Sequence, residues 1–391
     1  MTETVNPSIK SLAYRNDIQG LRAIAVGLVI LGHAEIARFA GGFIGVDVFF
    51  VISGFVITQM ILRQTGETVI ENIRHFYIRR ILRIVPAATL VLIVTVLVAY
   101  RLLADYFDPQ LLIDTRWASL FAANWEMIRT SSDYFSTGIP PSLVTHYWSL
   151  AVEEQFYFIY PLIMFTILRV IPKDRRSVIL PAFLVLVIVA SGIWGVYAHS
   201  INPVAAYYSP FTRFWELGLG GLIALPRTRT LKVNNVVKSG IALIALAVIF
   251  GSAMKFDALT MNLSLWMWLP VLATGALLLT GSESSVGRIL GTQPLRYIGN
   301  ISFALYLWHF MWLKLPLQMP FEELPNNLVP IGIAGTFASA VLSYHLMENP
   351  IRRSKKLAGN GWAVLALLVA CIAMTWITAG WVEHLYNSII W

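Results

Sequence analysis

The sequence has little charge and almost no cysteine. Charged residues make up 13% of its 391 residues, whereas an ordinary soluble domain carries about 25%. The one cysteine, Cys371, lies in an apolar run, so no disulfide can form within the chain and no cysteine-based metal site is expected. The sequence also contains no fixed-period repeat, P-loop or dinucleotide fingerprint. These absences exclude a disordered chain, a disulfide-stapled secreted scaffold and a nucleic-acid-binding module.

Apolar residues dominate what remains. They account for 57% of the chain, which includes 13 Trp, and the mean hydropathy is +0.68. This composition predicts an all-α fold, a polytopic integral membrane helix bundle of about ten core transmembrane helices plus an eleventh C-terminal one. The net charge of +8 matters less than its location, since Lys and Arg collect on cytoplasmic loops of membrane proteins.

A membrane-spanning helix needs ~20 mostly apolar residues. Eleven stretches qualify, the seventh after extension at its start: 18–37, 42–62, 84–103, 143–169, 178–198, 208–226, 239–254, 262–281, 297–315, 328–348 and 361–385. Residues 1–350 are predicted to form one transmembrane domain. Residues 351–391 are predicted to form a basic cytoplasmic linker and a last transmembrane helix that ends outside.

The loops predict the orientation. With a cytoplasmic N-terminus, every even-numbered span ends in a basic cluster, so the C-terminus is expected outside. Two further segments stand out. Residues 66–83 are amphipathic and arginine-rich, as in a helix that lies on the inner face beside an anionic headgroup or ligand. Residues 104–142 form the longest outside segment and are expected to cover or line a site.

Ionisable residues within the spans are costly and by default mark function. Arg22 and His33 are eleven residues apart on the first span, or three helical turns, so they share a face. His33 can carry protons near neutral pH, although a histidine that only bonds a neighbouring carbonyl is the alternative. Asp47 on the second span needs a buried partner. A structural pairing with an arginine and a chemical role are both open for Asp47.

Polar stripes run along two other spans. On the fourth span, spacings of three and four residues align His146, Ser149, Glu153, Tyr157 and Tyr160. Glu154 is rotated about 100° from this stripe, so Glu153 is the carboxylate predicted to face the interior. On the ninth span, the same spacings align Ser302, Tyr306 and His309. A structural hydrogen-bond ladder is the alternative in both cases.

Two groups of charged residues each have a structural or topological interpretation as well as a functional one. Arg213 and Glu216, three residues apart on the sixth span, predict a structural ion pair within the membrane. Arginines also cluster just before Pro86, at positions Arg79, Arg80 and Arg83. This cluster is either a topology signal or a phosphate site, since guanidinium forks match phosphate geometry.

In this order, these stretches resemble the membrane-bound acyltransferase family 3, which O-acetylates bacterial surface glycans. The resemblance covers most of residues 12–350 and is closest to the O-antigen and oligosaccharide acetyltransferase branch. It is carried by the spacing from Arg22 to His33 and by residues 42–58, 79–86, 146–160, 213–217, 297–309 and 348–350.

The resemblance implies an O-acetyltransferase that moves an acyl group from cytoplasmic acetyl-CoA to a hydroxyl of a surface glycan. The implied acceptor is a glycan such as lipopolysaccharide O-antigen, on the periplasmic side of the bacterial inner membrane. The implied catalytic residues are His33, Arg22 and Glu153, and the donor phosphates would lie at Arg79, Arg80 and Arg83. No metal is expected. The remaining candidates are expected to line the cavity or the acceptor site: Asp47, His146, Tyr157, Ser302, Tyr306 and His309.

Several alternatives stay open at this point. His33 would act either as a general base or as a covalent acyl carrier. A proton-coupled transporter of a lipid-linked or small substrate is the rival function, although no inverted repeat of broken spans is visible. A purely structural membrane partner of another enzyme is a third class. Many relatives carry a soluble SGNH-type domain after the last span, so the chain is expected to be a stand-alone form or part of a longer fusion.

Overall fold

The computed structural model describes residues 15–64, 68–132, 134, 141–226, 231–257, 264–319 and 328–390. It is 87% helical, and no strand occurs in these described ranges. The predicted all-α class is therefore confirmed. The α-helices in chain order are α1 (Asn16–His33), α2 (Ile44–Arg63), α3 (Val69–Leu103), α4 (Gln110–Ser119), α5 (Ala123–Arg129), α6 (Tyr147–Val170), α7 (Lys173–Ile201), α8 (Pro203–Tyr208), α9 (Phe214–Ala224), α10 (Asn235–Lys255), α11 (Trp268–Thr280), α12 (Ser285–Leu290), α13 (Gln293–Asn300), α14 (Ser302–Lys314), α15 (Leu328–Ser343), α16 (Asn349–Arg352), α17 (Lys355–Ala358) and α18 (Gly361–Ile390).

Within the described part of the chain, eight helical stretches are long and apolar enough to cross a membrane, so this is a multi-pass membrane protein. They coincide with predicted spans two to five, seven, eight, ten and eleven: Ala37–Arg63, Val69–Tyr106, Tyr147–Val170, Lys173–Ile201, Asn235–Lys255, Leu265–Glu283, Leu328–Arg352 and Gly361–Ser388. The other three predicted spans are the helices α1, α9 and α14, of 18, 11 and 13 residues. The total of eleven crossings stays a prediction.

These three shorter helices lie inside the bundle. α1 packs against α2, α13 and α14, and α9 packs between α2 and α7. Nearly every residue of α14 is buried, whereas only 22% of the most apolar part of α7 or α18 is. The helices that carry ionisable groups are thus shielded by longer and more apolar ones, because a charged group facing lipid is costly.

Two glycines allow the backbones of α2 and α9 to touch. A Cβ atom added at Gly54 would lie 1.9 Å from the carbonyl oxygen of Leu217, and one at Gly220 would lie 1.9 Å from that of Val51. Small residues permit this close approach, as is common between membrane helices. The contact fixes α9, and with it Arg213 at its start, against the middle of α2.

The arginine-rich segment before Pro86 does not form a separate helix. Instead, α3 begins after a capping box made by Thr68 and Glu71 and continues through Pro86 to Leu103. Membrane helices tolerate an internal proline, because neighbouring helices and side chains satisfy the freed carbonyl. The 35 residues of α3 span about 52 Å at 1.5 Å per residue, which exceeds a hydrocarbon core of about 30 Å. The arginines therefore lie on an extension of a spanning helix.

The long segment after α3 folds into α4 and α5 at the opposite end of the bundle from the start of α3. The C-terminal helix α18 packs against both α3 and α4. Arg116 bonds Glu383 at 2.5 Å, and the indole N–H of Trp376 donates to Ser119 Oγ at 3.1 Å. Asp133 and Pro140 of this segment lie outside the described residues.

Candidate functional site

A cavity of about 350 Å³ lies among α1, α2, α3, α6 and α14. Five arginines line it and Glu153 is the carboxylate in its wall, so the cavity is strongly basic. We call it the arginine cavity. Eight of the residues predicted from sequence meet here: Arg22, Arg79, Arg80, Arg83, Glu153, Tyr157, Ser302 and Tyr306.

Arg80 is held by two carboxylates in the wall of the arginine cavity. Its Nη2 donates to Glu153 Oε1 at 2.9 Å and to Glu154 Oε1 at 2.8 Å, and its Nε donates to Glu154 Oε1 at 3.0 Å. The guanidinium also lies 3.7 Å from the ring centroid of Tyr157. The two carboxylates neutralise the charge of Arg80. Arg80 therefore holds the neighbouring side chains in place more than it adds net positive charge to the cavity.

Glu153 is the better connected of the two acids. Its Oε1 atom accepts hydrogen bonds from Ser53 Oγ at 2.9 Å and from the Tyr157 hydroxyl at 2.8 Å, in addition to that from Arg80. These donors belong to α2, α6 and α3, so a single carboxylate oxygen joins three helices. Glu154 does not line the cavity, and it accepts hydrogen bonds from Arg80 Nε and Nη2.

Sequence reasoning missed the fifth arginine. Arg352 was expected in a cytoplasmic linker, but the structure places it in the wall of the arginine cavity. Its Nη1 lies 3.9 Å from Glu348 Oε1, and Glu348 is 2% exposed. The i,i+4 spacing of these two residues was the available signal, since it predicts an ion pair on one helical face.

Three histidines cluster beyond the arginine cavity, and hydrogen bonds fix their tautomers. His309 Nδ1 lies 2.6 Å from the Tyr306 carbonyl oxygen, which can only accept, so this nitrogen carries the proton. In the neutral ring, His309 Nε2 is then an acceptor and receives the bond from His33 Nδ1–H at 2.9 Å. The unprotonated Nε2 of His33 therefore faces the hydroxyl of Tyr134, which donates to it at 2.5 Å.

These contacts form a chain of hydrogen bonds, in which Tyr134 donates to His33, His33 donates to His309, and His309 donates to the backbone of α14. Such a chain presents a basic nitrogen to a hydroxyl and stabilises the imidazolium that forms when the proton transfers. Sequence reasoning missed Tyr134. The available signal was the expectation that the segment 104–142 covers a site.

His146 lies beside this chain and plays a different part. Its Nε2 bonds the Leu307 carbonyl at 3.1 Å, and its ring stacks on Phe310 at a centroid distance of 4.9 Å. Ser149 and Tyr306 join their hydroxyls at 2.6 Å, and the Tyr306 hydroxyl donates to the His146 carbonyl at 2.9 Å. These bonds fix α14 against α6.

Tyr306 links the two parts of the site. Its ring lines the arginine cavity, while its carbonyl orients His309. The histidines do not line that cavity. Arg22 and His33 are separated by about 16 Å along α1, because eleven residues each rise 1.5 Å. The site is therefore elongated, with guanidinium groups at one end and an imidazole at the other.

Asp47 neither lines the arginine cavity nor takes part in the hydrogen bonds of the histidines. It accepts from Arg213 Nη1 at 3.0 Å, and the same nitrogen donates to Glu216 Oε1 at 3.2 Å. All three side chains are buried. The predicted ion pair of Arg213 and Glu216 is thus confirmed, and Asp47 joins it from α2. The structural interpretation of Asp47 accounts for these contacts.

Residues 15–348 match a family model described as an acyltransferase domain, the acyltransferase 3 type. The chain belongs to this acyltransferase family. In the described residues, no group of three or more His, Cys, Asp or Glu is arranged to hold a metal ion. No solved structure matches the chain.

Curated relatives agree with the family. The chain is 30% identical to the peptidoglycan O-acetyltransferase OatA of Listeria monocytogenes, over 88% of this chain and 57% of that protein. It is 32% identical to the putative peptidoglycan O-acetyltransferase YrhL of Bacillus subtilis, over 87% of this chain and 55% of that protein. A putative O-acetyltransferase of Staphylococcus aureus is 31% identical, over 88% and 58%. The chain thus spans a little over half the length of these relatives. The predicted family is confirmed, and the O-antigen branch stays a prediction.

Proposed function

We propose that the protein is an integral membrane O-acetyltransferase that takes an acetyl group from acetyl-CoA and transfers it to a hydroxyl of a glycan. The observation that carries this proposal is the elongated site, in which Tyr306 joins an arginine cavity to a histidine that faces a hydroxyl. The buried His and Glu residues would also suit a proton-coupled transporter. Membership of an acyltransferase family favours the enzyme.

The arginine cavity is the proposed donor site. Guanidinium groups bind phosphate oxygens in bidentate fashion, and Arg22, Arg79, Arg83 and Arg352 present four of them around Arg80. Among the described residues, Arg79 and Arg83 form no salt bridge with an acidic side chain. With a donor phosphate at these arginines, the pantetheine arm would extend through the cavity and carry the thioester toward Tyr306.

His33 is the proposed general base. An acceptor hydroxyl in the place of the Tyr134 hydroxyl would give its proton to His33 Nε2 while its oxygen attacks the thioester carbonyl. The C–S bond then breaks, and the CoA thiolate takes the proton back from His33. His309 accepts the Nδ1–H of the transient imidazolium and so stabilises it. Glu153 is proposed to act by holding Arg80, Ser53 and Tyr157 in place.

The acceptor and its side of the membrane complete the proposal. The end of the bundle where α1 and α3 begin would face the cytoplasm of a bacterial cell and admit the donor across the inner membrane. The glycan would enter from the opposite, periplasmic end beside α4 and α5. The sequence resemblance favours lipopolysaccharide O-antigen as the glycan, and the names of the relatives favour peptidoglycan.

The test uses detergent-solubilised protein with acetyl-CoA, alone and with each of the two glycans. We expect thioester cleavage coupled to acetylation of one glycan. His33→Gln should lower the rate at least about 100-fold, since loss of a general base typically costs 10²–10⁴-fold. His384→Gln is the matched control, because this histidine is exposed near the end of α18.

Three results would argue otherwise. A His33→Gln enzyme that keeps more than about a tenth of the wild-type rate contradicts the general base. A stable acetyl adduct on His33 would make it the acyl carrier instead. No thioester cleavage, together with substrate uptake into proteoliposomes, would support the transporter.

A further inference from the structure

A second cavity, of about 660 Å³, opens next to the arginine cavity. It lies where α1 begins, α2 ends and α3 begins, and we call it the mouth cavity. Its polar wall is formed mainly by Arg15, Gln19, Gln59, Arg63, Gln64 and Arg79. Arg79 and Gln19 line the arginine cavity as well, so the two cavities share a wall.

The mouth cavity carries amide groups whose hydrogen-bonding capacity is unmet in the described structure. Gln59 is 9% exposed, and its Oε1 accepts from Arg63 Nη2 at 3.1 Å, but its buried Nε2 has no partner. Gln64 Nε2 donates to the Asn72 carbonyl at 2.9 Å, whereas its buried Oε1 has no partner. A buried donor or acceptor without a partner costs free energy, so this wall is suited to a ligand that both accepts and donates.

The charges of the mouth cavity suit an anion. Arg15 is fixed by Asp17 at 2.8 Å and by the Leu278 carbonyl at 3.1 Å. Arg63 and Arg79 are exposed, and neither forms a salt bridge with an acidic residue that the structure describes. The cavity therefore offers two guanidinium groups beside an amide donor and an amide acceptor.

We propose that the mouth cavity binds the adenosine 3′,5′-bisphosphate part of the donor, with the 4′-phosphopantetheine part, including its one phosphate, in the arginine cavity. This inference rests on the donor in the proposed function. Adenine presents an acceptor at N7 and a donor at N6, which match the Nε2 donor of Gln59 and the Oε1 acceptor of Gln64 that are free in the described structure. Arginines bind the phosphates. An anionic lipid headgroup would meet the guanidinium groups, but its acyl chains do not suit the basic arginine cavity on the other side of the shared wall. The shared wall at Arg79 suits one continuous ligand.

The experiment compares two donors that differ only in this part: acetyl-CoA and acetyl-4′-phosphopantetheine. Binding is measured by calorimetry on the solubilised full chain, together with binding of adenosine 3′,5′-bisphosphate. We expect Arg63→Ala to raise the Kd of acetyl-CoA and of the bisphosphate about ten-fold or more, as for loss of one charge-assisted hydrogen bond. The Kd of the shorter donor should stay within about two-fold on the same reasoning.

Two further variants serve as controls. Arg83→Ala, in the arginine cavity, should weaken both donors. Arg74→Ala should weaken neither, because Arg74 is an exposed arginine of α3 that lines neither cavity. Gln64→Ala is the second mouth-cavity variant, and it should follow Arg63→Ala in sparing the shorter donor.

The outcomes separate this inference from the proposed function. If Arg63→Ala raises the Kd of both donors equally, or of neither, the mouth cavity does not bind the nucleotide. Acetyl-CoA would still be the donor in that case. If the bisphosphate binds but acetyl-CoA is neither bound nor cleaved, the cavity is a nucleotide site and the donor is wrong. If the bisphosphate fails to bind, or if Arg63→Ala lowers only co-purified phosphatidylglycerol, the inference is overturned.

Discussion

At Glu153, one carboxylate oxygen accepts hydrogen bonds from three helices, while its neighbour Glu154 accepts hydrogen bonds from Arg80. We expect Glu153→Gln to lower the acetyl-transfer rate by about 10–100-fold, since each charge-assisted hydrogen bond is worth ~1.5–3 kcal/mol. Glu154→Gln should cost only a few-fold, because Glu153 would still neutralise Arg80. Initial rates of the two purified variants check this.

The pair of acids is its own matched control, since the two positions differ by one residue and receive the same substitution. Equal losses would mean that neutralising Arg80 is all that either acid does. A larger loss at Glu154 would contradict the assignment of Glu153 to the cavity wall.

Individual residues also show what could and could not be predicted from the sequence. Helical phase alone predicted which of two adjacent acids faces the interior, because phase is a local property of one helix. The partner of these acids was out of reach, since Arg80 lies 73 residues before Glu153 in the chain. The segment that contains Tyr134 was predicted to cover a site, but Tyr134 itself was not identified, because no periodicity fixes the direction of a side chain outside a helix.

Among the helices, the close packing of α2 against α9 depends on their glycines. A Cβ atom at Gly220 would overlap the backbone of Val51, whereas one at Gly240 on α10 would meet nothing within 4 Å. We expect Gly220→Ala to destabilise the protein by about 1–3 kcal/mol, as overpacking does. It should also lower activity, since α2 carries Ser53 and Asp47. Gly240→Ala should be neutral or stabilising by up to about 1 kcal/mol.

Thermal unfolding in detergent, followed by light scattering or tryptophan fluorescence, measures this difference. The same melting temperature for both variants would show that the helices separate freely at this crossing. A stable but inactive Gly220→Ala protein would place the effect in the site alone.

The spans were predictable to different degrees, for a physical reason. Hydropathy indicates helices that face lipid, such as α7 and α18, because their whole circumference is apolar. Hydropathy predicts α1, α9 and α14 less well, because these helices are surrounded by other helices and not by lipid. The division of residues 66–103 into a surface helix and a span was wrong, because the change from arginine-rich to apolar sequence does not end a helix. One helix continues through this change and through Pro86.

For the whole molecule, the distribution of basic residues predicts the orientation, and the single cysteine makes it easy to test. In a Cys371→Ser background, we introduce Asp174→Cys or Asp108→Cys, both at exposed positions. Asp174 lies among basic residues in the first turn of α7, and Asp108 lies just before α4. A membrane-impermeant maleimide on spheroplasts should label Asp108→Cys and spare Asp174→Cys.

Lysed cells provide the control, in which both variants should react. The reverse pattern in intact spheroplasts would invert the protein and place the mouth cavity on the periplasmic side. The donor in the proposed function would then be excluded, because acetyl-CoA is cytoplasmic.

The burial of α9 between longer helices has a consequence for how the protein enters the membrane. An eleven-residue helix spans about 16 Å, roughly half of the hydrocarbon core. Arg213 directly precedes it and Glu216 lies in its first turn, and such charged residues oppose insertion by about 2.5–3.5 kcal/mol near the membrane centre. The insertion machinery therefore cannot release α9 into lipid by itself. We expect α9 to wait beside the translocation channel until it docks on the glycine face of α2, so that membrane integration and folding of this segment are one event.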